Sequence, residues 1–234
     1  MTSIDTIINR QLLKWELERK EAAGEQAPPA PPPQVVTVSR ETGSGGTYFA
    51  SRLADELGFQ RLHRETINAI CESSGFRKRI VESLDSRFRG DLELLAESMV
   101  TGRSVDYSDY HRHLFKVVLS MARLGGVVLV GRGGSFILGP LRGFHMRIIA
   151  PREQRLANLM KYKSLSEDNA TTEIARVDTE RREMIAKLFG CDIDDPNHYD
   201  LVINLGLLDL EEMVPPIVSA IKAKFARLAS AERE

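Results

Sequence analysis

Apolar residues recur along the chain with two different periods, and the change falls at a run of prolines. In the first stretch Ile4, Ile8, Leu12 and Trp15 follow at steps of four, four and three, which places them on one stripe of a helix. Lys14, Glu16, Glu18, Arg19 and Lys20 fall mostly on the other faces. This predicts an appended amphipathic helix over 1–26. Residues 27–34 read APPAPPPQ, a composition that favours polyproline II, so the helix ends in a stiff linker. So short a stripe is only marginally helical alone in water. It needs a surface to cover: the body of the same chain, a second copy in a homo-oligomer, or a protein partner. Its polar face is not clearly basic, which disfavours a membrane surface.

From Val35 the pattern becomes short apolar runs separated by helical stretches, forming one body over 35–228. Strands are predicted at 35–38, 59–62, 127–130, 146–150 and 201–204. A Gly-rich turn follows the first, then a helix with Phe49, Ala50, Leu53, Ala54 and Leu57 on one face and Gly58 at its end. Residues 65–124 read as mostly helical with a looser polar stretch at 101–110, and helices are predicted at 152–163 and 173–188. Asp209 and Glu212 resemble a capping box before a last helix, which Pro215 and Pro216 are predicted to kink or restart. Strands alternating with helices imply an α/β fold, a parallel sheet covered on both faces.

Composition excludes several classes. The chain has 234 residues, 42% hydrophobic and 28% charged, with net charge −1. Disordered, collagen-like and membrane-spanning chains look different. Charges in the first 20 residues interrupt any secretory signal, and Cys71 and Cys191 alone make neither a disulfide framework nor a metal cluster. A reducing, cytoplasmic setting is expected. The charge balance gives no pull toward nucleic acid, and no basic stripe interleaved with aromatics exists. His111 and His113 stand two apart, the other three histidines are isolated, and no nucleophilic triad is apparent. The basic residues, however, comprise 23 Arg and only 9 Lys. Genomic base composition explains such a total; it does not choose positions.

Several of those arginines sit beside glycines or at strand ends. The segment Ser39-Arg40-Glu41-Thr42-Gly43-Ser44-Gly45-Gly46-Thr47 joins the first strand to a helix. Such a turn either closes tightly for structural reasons or aims backbone N–H groups and a helix N-terminus at an anion. Against G-x-x-x-x-G-K-[ST], Gly45 is the second glycine and Thr47 the magnesium-ligating hydroxyl, while Arg40 replaces the first glycine and Gly46 the lysine. Gly131-Arg132-Gly133-Gly134 follows a second strand, where ligands of open α/β sheets sit. Arg152 and Arg155 follow a third. Arg176, Asp178, Arg181 and Arg182 cluster on a late helix at ion-pair spacing. Each of these arginine groups has a bland alternative, a solvated turn or helix face.

The ordered set resembles the cytidylate kinase-like family over about residues 35–226. The resemblance rests chiefly on Val36–Gly46, Val130-Gly131-Arg132-Gly133 and Tyr199-Asp200-Leu201-Val202-Ile203-Asn204. It implies a P-loop kinase three-layer fold with a helical acceptor-binding insertion at 64–124 and a lid at 164–190. It implies ATP and Mg2+ as cofactors, with Gly43, Ser44, Gly45, Gly46 and Thr47 holding donor phosphates and Thr47 on the metal. By the same resemblance Arg132 lies near the acceptor, Arg155 follows the strand-Ala-Pro element, and Arg181, with Arg182 beside it, is a lid arginine. Arg40 is the candidate for the missing loop charge, six residues before the lysine position. Gly133 stands where true cytidylate kinases carry Asp, and His63 where relatives often carry Asp. The expected function is transfer of the ATP γ-phosphate to a nucleoside monophosphate, CMP-like. The alternatives are a nucleotide-binding regulatory or sensor protein, and a kinase of another small metabolite.

Overall fold

The computed structural model describes residues 34–82 and 109–231, Leu84 and Leu92, and, near the start, residues 6, 8–10, 12–14 and 17. Five strands form one sheet: β1 (Val35–Arg40), β2 (Gln60–Leu62), β3 (Val127–Val130), β4 (Phe144–Ile149) and β5 (Leu201–Asn204). They are all parallel, in the order β2-β3-β1-β4-β5. A parallel sheet is covered on both faces, so its central strands are continuously apolar. β3 is Val-Val-Leu-Val with every residue buried. In β1 the polar interruption is Thr37, whose hydroxyl meets His145 Nδ1 on β4 at 2.8 Å, with His145 Nε2 at 2.8 Å from the Gly139 carbonyl.

One face of the sheet carries α1 (Gly46–Leu57) and α8 (Leu210–Ala231), whose Phe49, Leu53, Ile217 and Ile221 pack on Val36, Val38, Met146 and Ile148. The other carries α2 (Arg64–Glu72), α3 (Ser74–Glu82), α4 (Asp109–Leu124) and α5 (Gly134–Leu138), packed through Ile67, Phe115 and Ile137. α6 (Arg152–Lys163) and α7 (Glu167–Phe189) share a separate small cluster of Leu159, Ala170 and Ile174. This is the expected three-layer α/β fold.

Ile8 and Leu12, at 2% and 0% exposure, join the cluster of Ile67, Ile70, Ile80 and Phe115. Asn9 Oδ1 accepts from Arg79 at 2.7 Å. The described part of the N-terminal helix thus packs against the body. Ile4, Trp15, the proline run up to Pro33 and the polar stretch up to residue 108 lie outside the described residues.

Two elements depart from expectation. α7 begins at Glu167, capped by Ser166, which accepts from the Asn169 N–H. Its first turns bury only Ala170 and Ile174, too thin a stripe to read as periodic. α8 runs as one helix through Pro215 and Pro216, so it does not restart there. Proline in a helix leaves the carbonyl four residues earlier without its N–H partner. Here those carbonyls belong to Glu211 and Glu212, both exposed residues that water can satisfy. Asp209 caps the helix as expected, accepting from the N–H groups of Glu211 and Glu212.

Candidate functional site

The glycine-rich loop is braced from several sides. Glu41 N–H donates to the Ile148 carbonyl at 3.0 Å, and Glu41 Oε2 accepts from Ala150 N–H at 3.0 Å. The Asn158 amide donates to the Gly43 carbonyl at 2.8 Å. Gly43 has φ +81°, and a Cβ there would lie 2.5 Å from the Arg155 carbonyl oxygen, so α6 sits directly on the loop. Gly45, at φ +82°, caps α1 without a side chain, leaving the helix N-terminus open. Ser44 turns inward: its hydroxyl donates to the Glu41 carbonyl at 2.9 Å and accepts from Gly46 N–H at 3.4 Å. Thr47 is exposed in the first turn of α1, and its hydroxyl has no partner among the described residues.

The loop is also latched by α7. Buried Asp178 accepts from Thr42 N–H at 3.0 Å and from the Thr42 hydroxyl at 2.8 Å. Arg155 pairs with Asp178, reaches Glu41 Oε1 at 3.2 Å, and donates from Nε to the Thr42 carbonyl at 2.8 Å. Arg181 Nη1 spans Asp178 at 3.2 Å, the Thr42 hydroxyl at 2.9 Å and the Arg40 carbonyl at 3.0 Å. Burial is the largest influence on Arg181 and lowers its pKa despite Asp178.

Beside this latch lies a cavity of about 130 Å³, lined by Arg40, Arg64, Arg132 and Arg181 together with Ser135 and Phe136. It opens beyond the carboxyl ends of β1, β2 and β3, the expected place for a ligand. Arg132 has φ +56°, between Gly131 at +82° and Gly133 at +66°. A positive φ in an arginine is strain that surrounding structure must hold. Its guanidinium lies 5.8 Å from the centre of the Tyr110 ring, whose hydroxyl donates to Asn68 at 2.8 Å. Arg40 Nε and Arg132 Nε are both buried with no hydrogen-bond partner. Burial, then the charges of Arg181, Arg64 and Arg132, push Arg40 down to about 9, still charged at neutral pH. Glu180 also lines the cavity and Glu65 offsets part of the effect on Arg40, but the four arginines outnumber them, and crowded buried cations are costly until an anion arrives. The arrangement suits a phosphate-sized anion.

Of the arginines singled out from sequence, Arg40, Arg132 and Arg181 converge on the cavity. Arg155 does not line it; it clamps Glu41, Thr42 and Asp178. Arg182 faces outward to Asp194 at 3.0 Å, and Arg147 pairs with the same carboxylate. Arg176 forms surface pairs with Glu173 and Glu180. Sequence reasoning missed Arg64 as a site residue, although its place just past β2 follows the same strand-end rule. His63 caps α2, accepting from Thr66 N–H at 3.4 Å. A Cβ at Gly133 would lie 2.9 Å from the Phe189 ring, so no carboxylate fits there without displacing that side chain. Tyr199 and Asp200 serve the fold: Asp200 binds buried Lys224 at 2.6 Å and His145 N–H at 2.7 Å.

Comparison with known proteins adds an independent finding. The profile of the cytidylate kinase-like family matches residues 35–206. A uronate isomerase from Corynebacterium glutamicum is 36% identical over 185 residues, 76% of this chain, but the chain spans only 35% of that protein's length. A cytidylate kinase from Ignicoccus hospitalis is 27% identical over 183 residues, covering 78% of this chain and 96% of that enzyme. One from Pyrococcus horikoshii is 24% identical over 191 residues, covering 80% and 88%. Among solved structures, an uncharacterised protein from Eubacterium ventriosum superposes with TM-score 0.64 at 19% identity, covering 82% of this chain and 99% of that one.

Proposed function

Because the chain belongs to the cytidylate kinase-like family, we propose that it is a cytoplasmic phosphotransferase moving the γ-phosphate of ATP to a small phosphorylated acceptor, a nucleoside monophosphate of the CMP type first among them. The observation that carries this reading is the arginine-lined cavity opening beside a glycine-rich loop at the ends of three parallel strands. Phosphoryl transfer needs little covalent chemistry from the protein; it needs positioning and positive charge around the equatorial oxygens. In this reading the loop from Gly43 to Thr47 and the open end of α1 hold the donor phosphates. Arg64, Arg132 and Arg181 hold the acceptor's anionic group, with Arg132 steadied on Tyr110. The Arg155–Asp178 pair positions α7, and Phe136, backed by the Phe189 ring, excludes water from the far wall.

No group of three or more metal-ligating side chains exists among the described residues. The unpartnered Thr47 hydroxyl is a hard oxygen donor, so a magnesium ion would be held there with phosphate oxygens and water completing its shell. Such an ion supplies charge neutralisation on the donor phosphates.

The test is ADP formation from Mg-ATP with a panel of monophosphates, with Arg181→Ala as control. Acceptor-dependent ADP that falls at least tenfold in the variant supports the enzyme; the best acceptor identifies the substrate, and another phosphorylated metabolite can win. A second reading has its own observation: Gly46 offers no lysine, and Asp178 already engages the Thr42 donors. Tight ATP binding without ADP from any acceptor would favour a regulatory nucleotide-binding protein.

A further inference from the structure

We propose that Arg40 is the catalytic cation of this site, taking over from the end of β1 the contact that a phosphate-loop lysine makes from the start of the helix. The inference rests on the phosphotransfer reading and deepens it. The chain departs from the loop pattern at two positions, Arg40 and Gly46, six residues apart. A Cβ on Gly46 would lie 2.8 Å from Arg40 Cβ and 3.0 Å from Ile148 Cβ. The start of α1 therefore has no room for a lysine side chain beside β1 and β4, and the charge here stands on the strand.

From there Arg40 crosses the carboxyl edge of the sheet. Its Nη1 lies 2.6 Å from where a Cβ on Gly131 would be, so Gly131 admits the guanidinium. That places the charge against the turn bearing Arg132, in the cavity it lines with Arg64 and Arg181. Among the described residues no carboxylate pairs with Arg40, and its Nε is buried without a partner. A cation held this way has capacity left for a ligand that brings negative charge.

In the proposed step an oxygen of the acceptor's dianionic phosphate forms a bond to the γ-phosphorus. The bond from that phosphorus to the oxygen bridging it to the β-phosphate breaks, and ADP leaves with the electron pair. No proton need move. Arg40 stays protonated and donates to the equatorial oxygens as charge gathers on them.

The experiment compares wild type with Arg40→Ala and Arg40→Lys. It reads ADP formation with Mg-ATP and the best acceptor, and the affinities for ADP and a non-hydrolysable ATP analogue. The expected result for Arg40→Ala is a loss of kcat of about 10²–10³-fold. Arg40→Lys, which keeps the charge on the strand, should recover at least tenfold over Arg40→Ala. Wild type should prefer the ATP analogue to ADP, with the preference lost in Arg40→Ala.

Unchanged turnover in Arg40→Ala, or an Arg40→Lys protein no better than Arg40→Ala, would overturn the assignment. If wild type makes no acceptor-dependent ADP, the phosphotransfer reading fails. Arg40 is then judged by binding alone: an analogue preference that survives Arg40→Ala removes its contact with the terminal phosphate, and one that disappears retains it. Melting of Arg40→Ala at or above the wild-type temperature in anion-free buffer separates a binding role from a folding one.

Discussion

His145 lies inside β4 with both ring nitrogens engaged, one toward Thr37 and one toward the Gly139 carbonyl. Burial pushes its pKa down to about 4, with Lys224 adding to the lowering. The unfolded chain binds a proton near pH 6.5 and the folded chain does not, so this group makes stability rise with pH between about 4 and 6.5. Acidifying across that window should cost roughly 3 kcal/mol. Denaturant titrations of wild type and His145→Gln should show the difference as a shallower pH slope in the variant. Asp178 serves its neighbours differently. Asp178→Ala would leave buried Arg155 short of one of its two carboxylates and Thr42 without its acceptor. An expected loss of about 3 kcal/mol follows from breaking a buried pair, measurable as a lower denaturant midpoint. At this scale the sequence spoke clearly where an arginine followed a strand or stood beside glycine, as Arg132 does. It named Asp178 and Arg155 but not their pairing, because Asp178 beside Arg181 has the spacing of a surface ion pair and Arg155 stands on a different helix. Only tertiary packing turns Asp178 inward while Arg176, two residues earlier, stays in solvent.

At the scale of elements, apolar stripes found their partners where they were periodic. The N-terminal stripe was ambiguous because a four-step pattern states that a face is covered, not by what. Leu12 is fully buried in the cluster that holds Ile67, Ile80 and Phe115 of α2, α3 and α4. Leu12→Ala should therefore destabilise the whole domain by about 2–5 kcal/mol, read by thermal or denaturant unfolding. A variant with wild-type stability would show that this contact is not kept in solution. If the helix also bridges copies, deleting residues 1–34 will lower the solution mass below that of the intact assembly; unchanged oligomeric state removes that reading. The proline pair in α8 shows the limit of a local rule. It identified the lost hydrogen bonds correctly but not their cost, which depends on whether water reaches the freed carbonyls.

For the whole molecule, the balance near zero net charge conceals a local imbalance at the carboxyl edge of the sheet. Inorganic phosphate should raise the melting temperature, because a ligand of the folded state alone stabilises by mass action, about 3 kcal/mol at a hundredfold excess over Kd. Arg132→Ala should remove most of that shift. No helix among the described residues is long and apolar enough to cross a membrane. The parallel sheet and the strand ends as the place for a ligand were legible from alternation. The strand order and the placement of α7 against the loop were not, since they depend on contacts between residues far apart in the chain, such as Thr42 with Asp178.

The corner between α6 and α7 has a mechanical meaning. Ser164 turns it with φ +54°, yet Leu159, Ala170 and Ile174 bind the two helices to each other across it. They tie the two helices into one unit. The Asp178 contact to Thr42, the approach of the Arg155 carbonyl to Gly43 and the Phe189 ring against Gly133 are all carried by that unit, so a displacement that breaks one of these contacts loads the other two.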